Sequence, residues 1–284
     1  KIAAYIDDSK RASGPDAISA EQFAAPQVDL RTLMKDSRLA AHWKPPSENA
    51  NSSVVWDSAK WKNVLLTGST GFFGTALLAE LLKNTTATIH CLVRPRGDST
   101  RKSGRESGAA GSLMAVLESR VLKSRLLGEN PLKLMKKPFS QRVVIVEGTL
   151  EQPHFGLDDA AWQRLCDSIQ IIFHAGAYVN SVLPYHRLAP SNVEGTRTCL
   201  ELCSSGLTKL LLHVSTSGTT AAGSDRSEAP LESQLWLISN NLLRLGGYNI
   251  SKYIAELLVW EAIDRGYPCI VVRPGFIGRS EEHT

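Results

Sequence analysis

The sequence predicts an α/β fold built on a doubly wound parallel sheet, and three observations carry that expectation. From Trp61 onward, short apolar runs alternate with segments of helical periodicity. The first run ends in Gly68, Gly71 and Gly74, spaced three apart, and an apolar, alanine-containing helical segment follows. Tyr248 and Lys252, four apart, open the last long helical segment before the final strand. Strand and helix in alternation favour parallel pairing, with right-handed crossovers and helices over both faces.

In chain order, Lys1–Asp7 reads as the tail of a helix that begins upstream, and Asp8–Gln27, rich in Ser, Ala, Pro and Gly, reads as a linker. A short helical pattern over Leu30–Ala41 leads into Pro45-Pro46 and a polar Ser/Asn stretch. The expected division is therefore 1–60, a linker with a short helical segment, and 61–284, one nucleotide-binding domain. Strands are expected at Val64–Thr67, Thr88–Val93, Arg142–Glu147, Ile169–His174, Lys209–Val214 and Cys269–Val272. Helices are expected at Phe72–Lys83, Leu113–Leu127, Asp158–Cys166, Leu188–Ser204 and Tyr248–Arg265. Pro95–Ser112, poor in apolar residues and rich in Gly, Ser and Arg, reads as a mobile loop.

Composition narrows the function classes. Net charge is +4, with 32 basic and 28 acidic residues mixed along most of the chain, which argues against a dedicated nucleic-acid surface. Arg94–Arg105 is the one basic-rich stretch. There is no run of 18 apolar residues and no secretory pattern, so neither a membrane span nor export is supported and a cytoplasmic protein is expected. The five cysteines include no Cys-x-x-Cys and mostly sit in apolar runs, as reduced core thiols do. The seven histidines show no metal-ligand spacing, so no metal site is expected.

The glycine turn has a physical reading. Gly68 permits the tight turn, Gly71 lets the backbone approach a pyrophosphate, and Gly74 lets the helix pack closely on the strand. The helix N-terminus then presents amides and a partial positive charge to phosphate. A purely structural glycine turn would share this pattern. After the second strand stand Arg94 and Arg96, with no acidic residue before Asp98. An acidic side chain there would suit a ribose 2′-hydroxyl and an arginine a 2′-phosphate, so NADPH is favoured over NADH, against the reading of two solvated loop charges. Tyr248 and Lys252 share a helix face, and an ammonium beside a phenol is expected to lower its pKa and make it a proton donor. In His213-Val214-Ser215-Thr216-Ser217, a hydroxyl at a strand's carboxyl end is placed to hold a substrate carbonyl. Spacing does not separate Thr216 from Ser217.

Together these residues resemble the extended short-chain dehydrogenase/reductase superfamily, and within it the thioester reductase domains that terminate some polyketide synthases, nonribosomal peptide synthetases and carboxylic acid reductases. The resemblance covers Lys62 to Arg279. It rests on LLTGSTGFFG, CLVR at Cys91–Arg94, GTLEQPHFGL at Gly148–Leu157, HAGAYVNSVLPY at His174–Tyr185, NVEGT at Asn192–Thr196, HVSTSG, GGYNISKYIAE at Gly246–Glu256 and VVRPGFIGRS. The VN-x-x-x-PY and NV-x-GT pieces look like thioester reductases rather than sugar epimerases.

The resemblance implies a Rossmann-like fold of the extended type and a Thr216–Tyr248–Lys252 triad. It implies cofactor contacts from Thr67, Gly68, Ser69, Thr70, Gly71, Phe72 and Gly74 at the turn, and from Arg94 and Arg96 beyond the second strand. Thr149 and Leu150, then Ala175, Gly176 and Ala177, and finally Pro274 and Phe276, would complete the cofactor set beside Tyr248 and Lys252. The implied reaction is NADPH-dependent reductive release of an acyl thioester from the phosphopantetheine of an upstream acyl or peptidyl carrier domain, giving an aldehyde or, after a second round, an alcohol. Lys1–Asp7 would be the last turns of that carrier, and the isolated domain would be monomeric. The sequence departs from the family in two places. Gly148-Thr149-Leu150 stands where the family has Gly-Asp-Leu near the adenine, and the family continues beyond the RPG segment, so the C-terminal substrate subdomain is expected to be largely absent from these 284 residues. The open alternatives are an extended-family enzyme acting on a free ketone, a sugar nucleotide or an acyl-CoA, and a dinucleotide-binding module without catalysis.

Overall fold

The computed structural model describes residues 28–40, 43, 57–95, 109–123, 138–222, 242–275 and 277. The expected carrier tail and linker, Arg96 and Phe276 lie outside the described residues.

Six parallel strands form one sheet in the order β3-β2-β1-β4-β5-β6. They are β1 (Asn63–Thr67), β2 (Thr88–Val93), β3 (Val143–Glu147), β4 (Ile171–His174), β5 (Leu210–Val214) and β6 (Cys269–Val272). The order reverses between β1 and β4, which is the switch point where a doubly wound sheet opens a crevice at its carboxyl edge. Each strand falls within two residues of its expected limits, because apolar runs buried on both faces are legible directly.

The side-chain period of two splits every central strand between the two faces. Val64 and Leu66 of β1, with Ile171 and Phe173 of β4, pack under helices α2 (Phe72–Asn84) and α3 (Ala109–Leu122). Leu65, Ile172 and Leu211 pack the other way. There they meet α4 (Asp159–Ser168), α5 (Tyr185–Ala189), α6 (Gly195–Ser204) and α7 (Gly247–Asp264). Asp158 caps α4 by accepting from the Ala161 amide at 2.7 Å. Helix α7 is buried on almost all sides, from Ile250 to Val259. All five cysteines are unpaired thiols, four of them buried. Among the described residues, no helix is long and apolar enough to cross a membrane.

Two elements differ from expectation. Helix α3 begins at Ala109, inside the stretch expected to be loop to Ser112; the rest of that expected loop from Arg96 to Gly108 lies outside the described residues. The expected Leu188–Ser204 helix starts earlier, at Tyr185, and widens to a π turn over Pro190–Glu194. Proline has no amide proton to give to the preceding turn, and a local wide turn accommodates that gap without ending the helix. The helical pattern expected over Leu30–Ala41 is present as a shorter helix, and it packs on the domain. Helix α1 (Leu30–Asp36) buries Leu33 completely, and Leu39 beyond it is 5% exposed, in the same apolar cluster as α7. Arg197 donates to the Asp36 and Arg38 carbonyls, both at 2.7 Å. Arg265 near the end of α7 donates to the Ala40 and Trp43 carbonyls at 3.1 Å, and Glu261 accepts from the Leu39 amide at 2.8 Å.

Candidate active site

A cleft of about 910 Å³ opens over the carboxyl ends of the central strands. Its floor is the β1–α2 turn. Gly68 adopts φ +75°, and a Cβ there would stand 2.7 Å from the Gly176 backbone. A Cβ on Gly74 would lie 2.0 Å from the Gly68 carbonyl oxygen, so strand and helix approach as closely as the glycine pattern requires. Gly71 faces open space apart from the Gly68 carbonyl at 3.3 Å. It caps α2 without a side-chain hydrogen bond, leaving the first helix amides for an anion. This cradle, too narrow for any Cβ at two positions and bare at the third, fits the pyrophosphate of a dinucleotide.

Most of the residues expected around a cofactor do converge here. Gly68, Thr70, Gly71, Phe72 and Gly74 line the cleft with Arg94. Thr149, Leu150, Ala175, Gly176, Ala177 and Pro274 line it from the neighbouring strand ends, and Thr216, Tyr248 and Lys252 close it. Thr67 and Ser69 do not line it: both are fully buried behind the turn. They alternate inward where Gly68 and Thr70 alternate outward, so Thr67 serves the scaffold.

Thr67 is one end of a polar rung. It pairs with His174 across β1 and β4, and His174 pairs with His213 across β4 and β5. The Thr196 hydroxyl donates to the Asn192 carbonyl at 2.7 Å, so at 2.9 Å it accepts from His174 Nε2–H. His174 Nδ1 therefore accepts from the Thr67 hydroxyl at 2.8 Å, and Thr67 Oγ1 accepts from the Gly176 amide at 2.9 Å. Burial, helped by the Lys252 ammonium, lowers the His174 pKa to about 3, in keeping with this neutral tautomer. Asn192 extends the connection: its side-chain amide donates to Ser251 Oγ at 2.9 Å, and Ser251 donates to the Tyr248 carbonyl at 2.8 Å.

Tyr248 and Lys252 occupy the first turns of α7, as their spacing requires. Lys252 is 2% exposed and donates to the Val214 carbonyl at 2.7 Å, with His213 Nε2 at 3.4 Å. Burial pulls its pKa down to about 8, against the Glu256 carboxylate, which pushes it back up. The expected depression of the Tyr248 pKa is not found: burial raises it. The ammonium is committed to the end of β5, and desolvation of the phenolate dominates. Thr216 Oγ1 accepts from the Gly218 amide at 3.3 Å, and Ser217 lines the cleft beside it.

Two residues of this region had no sequence signal. Arg120 on α3 donates to the Thr70 carbonyl of the glycine turn, a contact across 50 positions. Glu256, one turn beyond Lys252, is 2% exposed and meets the strand-end turn that carries Thr216. At the third strand, Thr149 replaces the family's acidic residue. Its amide donates to the Phe155 carbonyl at 2.9 Å, in a turn where His154 and Phe155 take φ of 51° and 60°.

A fold of this strand order, with a glycine cradle at the switch point of the sheet, is of the doubly wound dinucleotide-binding kind. A family model described as Male sterility protein, of the NAD-binding kind, matches residues 66–283, and the chain belongs to that family. A linear gramicidin synthase of Brevibacillus parabrevis is 34% identical over 88% of this chain and 4% of its own length. Glycine betaine reductase ATRR of Emericella nidulans is 34% identical over 92% of this chain and 19% of its own. The terminal R domain from the myxalamid PKS-NRPS pathway superposes with a TM-score of 0.64 at 31% identity, covering 87% of this chain and 56% of that one. The chain thus spans a small part of these curated relatives and about half of the R-domain structure.

Proposed function

We propose that this chain is the cofactor-binding portion of an NADPH-dependent reductase that releases an acyl group from a carrier-bound thioester. The observation that carries the reading is the convergence of Thr216, Tyr248 and Lys252 on the cleft whose floor is the glycine cradle. Likeness to a terminal R domain and to a gramicidin synthase supports an upstream carrier as partner. Arg94, exposed at the cleft beyond β2 and followed in the sequence by no acidic residue before Asp98, supports the 2′-phosphorylated cofactor.

NADPH, when bound, supplies the hydride for the thioester carbonyl. The chain's own residues manage the oxygen. Thr216 and Tyr248 hydroxyls hydrogen-bond it as negative charge grows, and this differential stabilisation lowers the barrier. Tyr248 gives up its proton to that oxygen. Its burial-raised pKa keeps the phenol protonated until then. Lys252, anchored on the Val214 carbonyl, keeps further N–H bonds for the ribose hydroxyls. Expulsion of the pantetheine thiol then leaves the aldehyde.

The test uses the full-length protein with an acyl-pantetheine thioester and NADPH or NADH. Thiol release and aldehyde should appear together, faster with NADPH. Tyr248→Phe should reduce kcat about 10²- to 10⁴-fold with NADPH affinity retained. A variant as fast as the parent sinks the assignment of Tyr248.

A further inference from the structure

Glu256 is a buried acid outside the proposed triad, and its hydrogen-bond partners lie on its own helix and at the ends of β5 and β6. One oxygen, Oε2, accepts from the Ser215 hydroxyl and from Thr219 Oγ1 at 3.1 Å. The other accepts from Arg273 Nε at 2.8 Å and Trp260 Nε1 at 3.1 Å. A carboxylate at 2% exposure is costly to bury unless its lone pairs are taken up, and here both oxygens are.

The partners bracket one residue. Ser215 precedes Thr216, and Thr219 follows it by three, its single hydroxyl proton shared between Glu256 Oε2 and the nearer Thr216 carbonyl at 2.8 Å. The backbone laces the same region to β6: the Ser215 amide donates to the Val272 carbonyl at 2.8 Å and the Ser217 amide to the Pro274 carbonyl at 3.3 Å. Arg273, between those two acceptors, is the residue whose guanidinium Glu256 holds. The carboxylate therefore grips the ends of β5 and β6 at once, from the helix that bears Tyr248 and Lys252.

We infer that Glu256 is the positioning residue for Thr216: it references the threonine turn and the Pro274 wall of the cleft to α7, so that all three members of the triad take their places from one rigid helix. This inference rests on the reading of Thr216, Tyr248 and Lys252 given above. Glu256 touches neither cofactor nor substrate in it. It acts by holding the Thr216 hydroxyl where the carbonyl oxygen of the thioester must come, and a displacement of about 1 Å at such a group costs on the order of 10²-fold in rate.

The experiment uses the full-length protein with two replacements, Glu256→Gln and the pair Ser215→Ala with Thr219→Val. The second removes the hydroxyl partners while leaving the Glu256–Arg273 ion pair, and it carries the test if Glu256→Gln fails to fold. Both should lower kcat on an acyl-pantetheine thioester about 10- to 100-fold, with NADPH affinity changed by less than about twofold. In a Thr216→Val background the loss from either replacement should shrink to about twofold or less, because the group being positioned is gone. Amide hydrogen exchange at Gly218 and Thr219, read without cofactor, should quicken about tenfold in both variants. Unchanged exchange, or a rate loss that multiplies undiminished with Thr216→Val, overturns the inference. If the parent protein reduces no thioester, the proposed function fails while the exchange measurement still decides whether Glu256 holds the turn.

Discussion

The two faces of the sheet are built on different principles. Under α2 and α3, Val64, Leu66, Ile89, Cys91, Val93, Ile171 and Phe173 form an apolar layer. Under α5, α6 and α7, the same strands present Thr67, His174 and His213 at their carboxyl ends, and the covering helices answer with Asn192, Thr196, Ser251, Lys252 and Glu256, all buried. The first face is held by contact area, where each fully buried large side chain contributes about 1.5–3 kcal/mol. The second has an apolar layer of its own, Leu65, Ile172 and Leu211 against the covering helices, and adds at its carboxyl edge hydrogen bonds that gain little in net but are costly to leave unmade and that fix geometry where the cleft needs it. One face supports the sheet, and the other sets the atoms.

That contrast is open to direct attack. Leu66→Ala on the apolar face should cost about 2–5 kcal/mol in urea denaturation, while activity per folded molecule stays near the parent value. A large loss of activity at full folding would erase the division of labour. Thr196→Val on the polar face keeps the volume but strands His174 Nε2–H, at about 1–3 kcal/mol. Unlike Leu66→Ala, it should also lower NADPH affinity, because His174 orients Thr67 and Thr67 holds the Gly176 amide beside the glycine turn. Equal behaviour of the two variants in both assays would argue for one undifferentiated core.

The smallest effect is the pH dependence. His174 is held neutral, with a pKa of about 3 against an ordinary 6.5, by burial first and the Lys252 ammonium second. As pH falls through 6.5 the unfolded chain takes up a proton that the native protein refuses until about 3. Stability from this group is complete above 6.5 and drains away between those values, by at most about 1.4 kcal/mol per pH unit. His213, its pKa also lowered chiefly by burial, adds the same sign. Denaturation series from pH 7 to 5 should show His174→Gln with a shallower decline than the parent. A parallel decline would mean that the rung does not hold a neutral histidine.

Local pattern makes the strands, the glycine turn and the shared face of Tyr248 and Lys252 legible in the sequence. Each depends on residues close along the chain, so a run of apolar residues or a spacing of four suffices. Thr67 with His174 lies 107 positions apart, and Ser215 with Glu256 lies 41 apart. Only the strand order brings such pairs together, and no local period encodes it. The direction of the Tyr248 pKa is hidden for a related reason: adjacency on a helix reveals a neighbouring charge but not how much water the fold removes. The π turn at Pro190 escapes sequence reading because proline ordinarily argues for a helix end, whereas here the helix widens and continues.

Helix α7 has a second occupation. Its first turns carry Tyr248 and Lys252, and its last grip Leu39, Ala40 and Trp43 through Glu261 and Arg265, about 25 Å along the same rod. Leu39, Ala40 and Trp43 are therefore moored to the helix that carries Tyr248 and Lys252. If the proposed carrier stands upstream, the effective concentration of its cargo at Tyr248 rises as the free length between them falls. Under that proposal the mooring fixes the origin of the search on the helix that bears Tyr248 and Lys252.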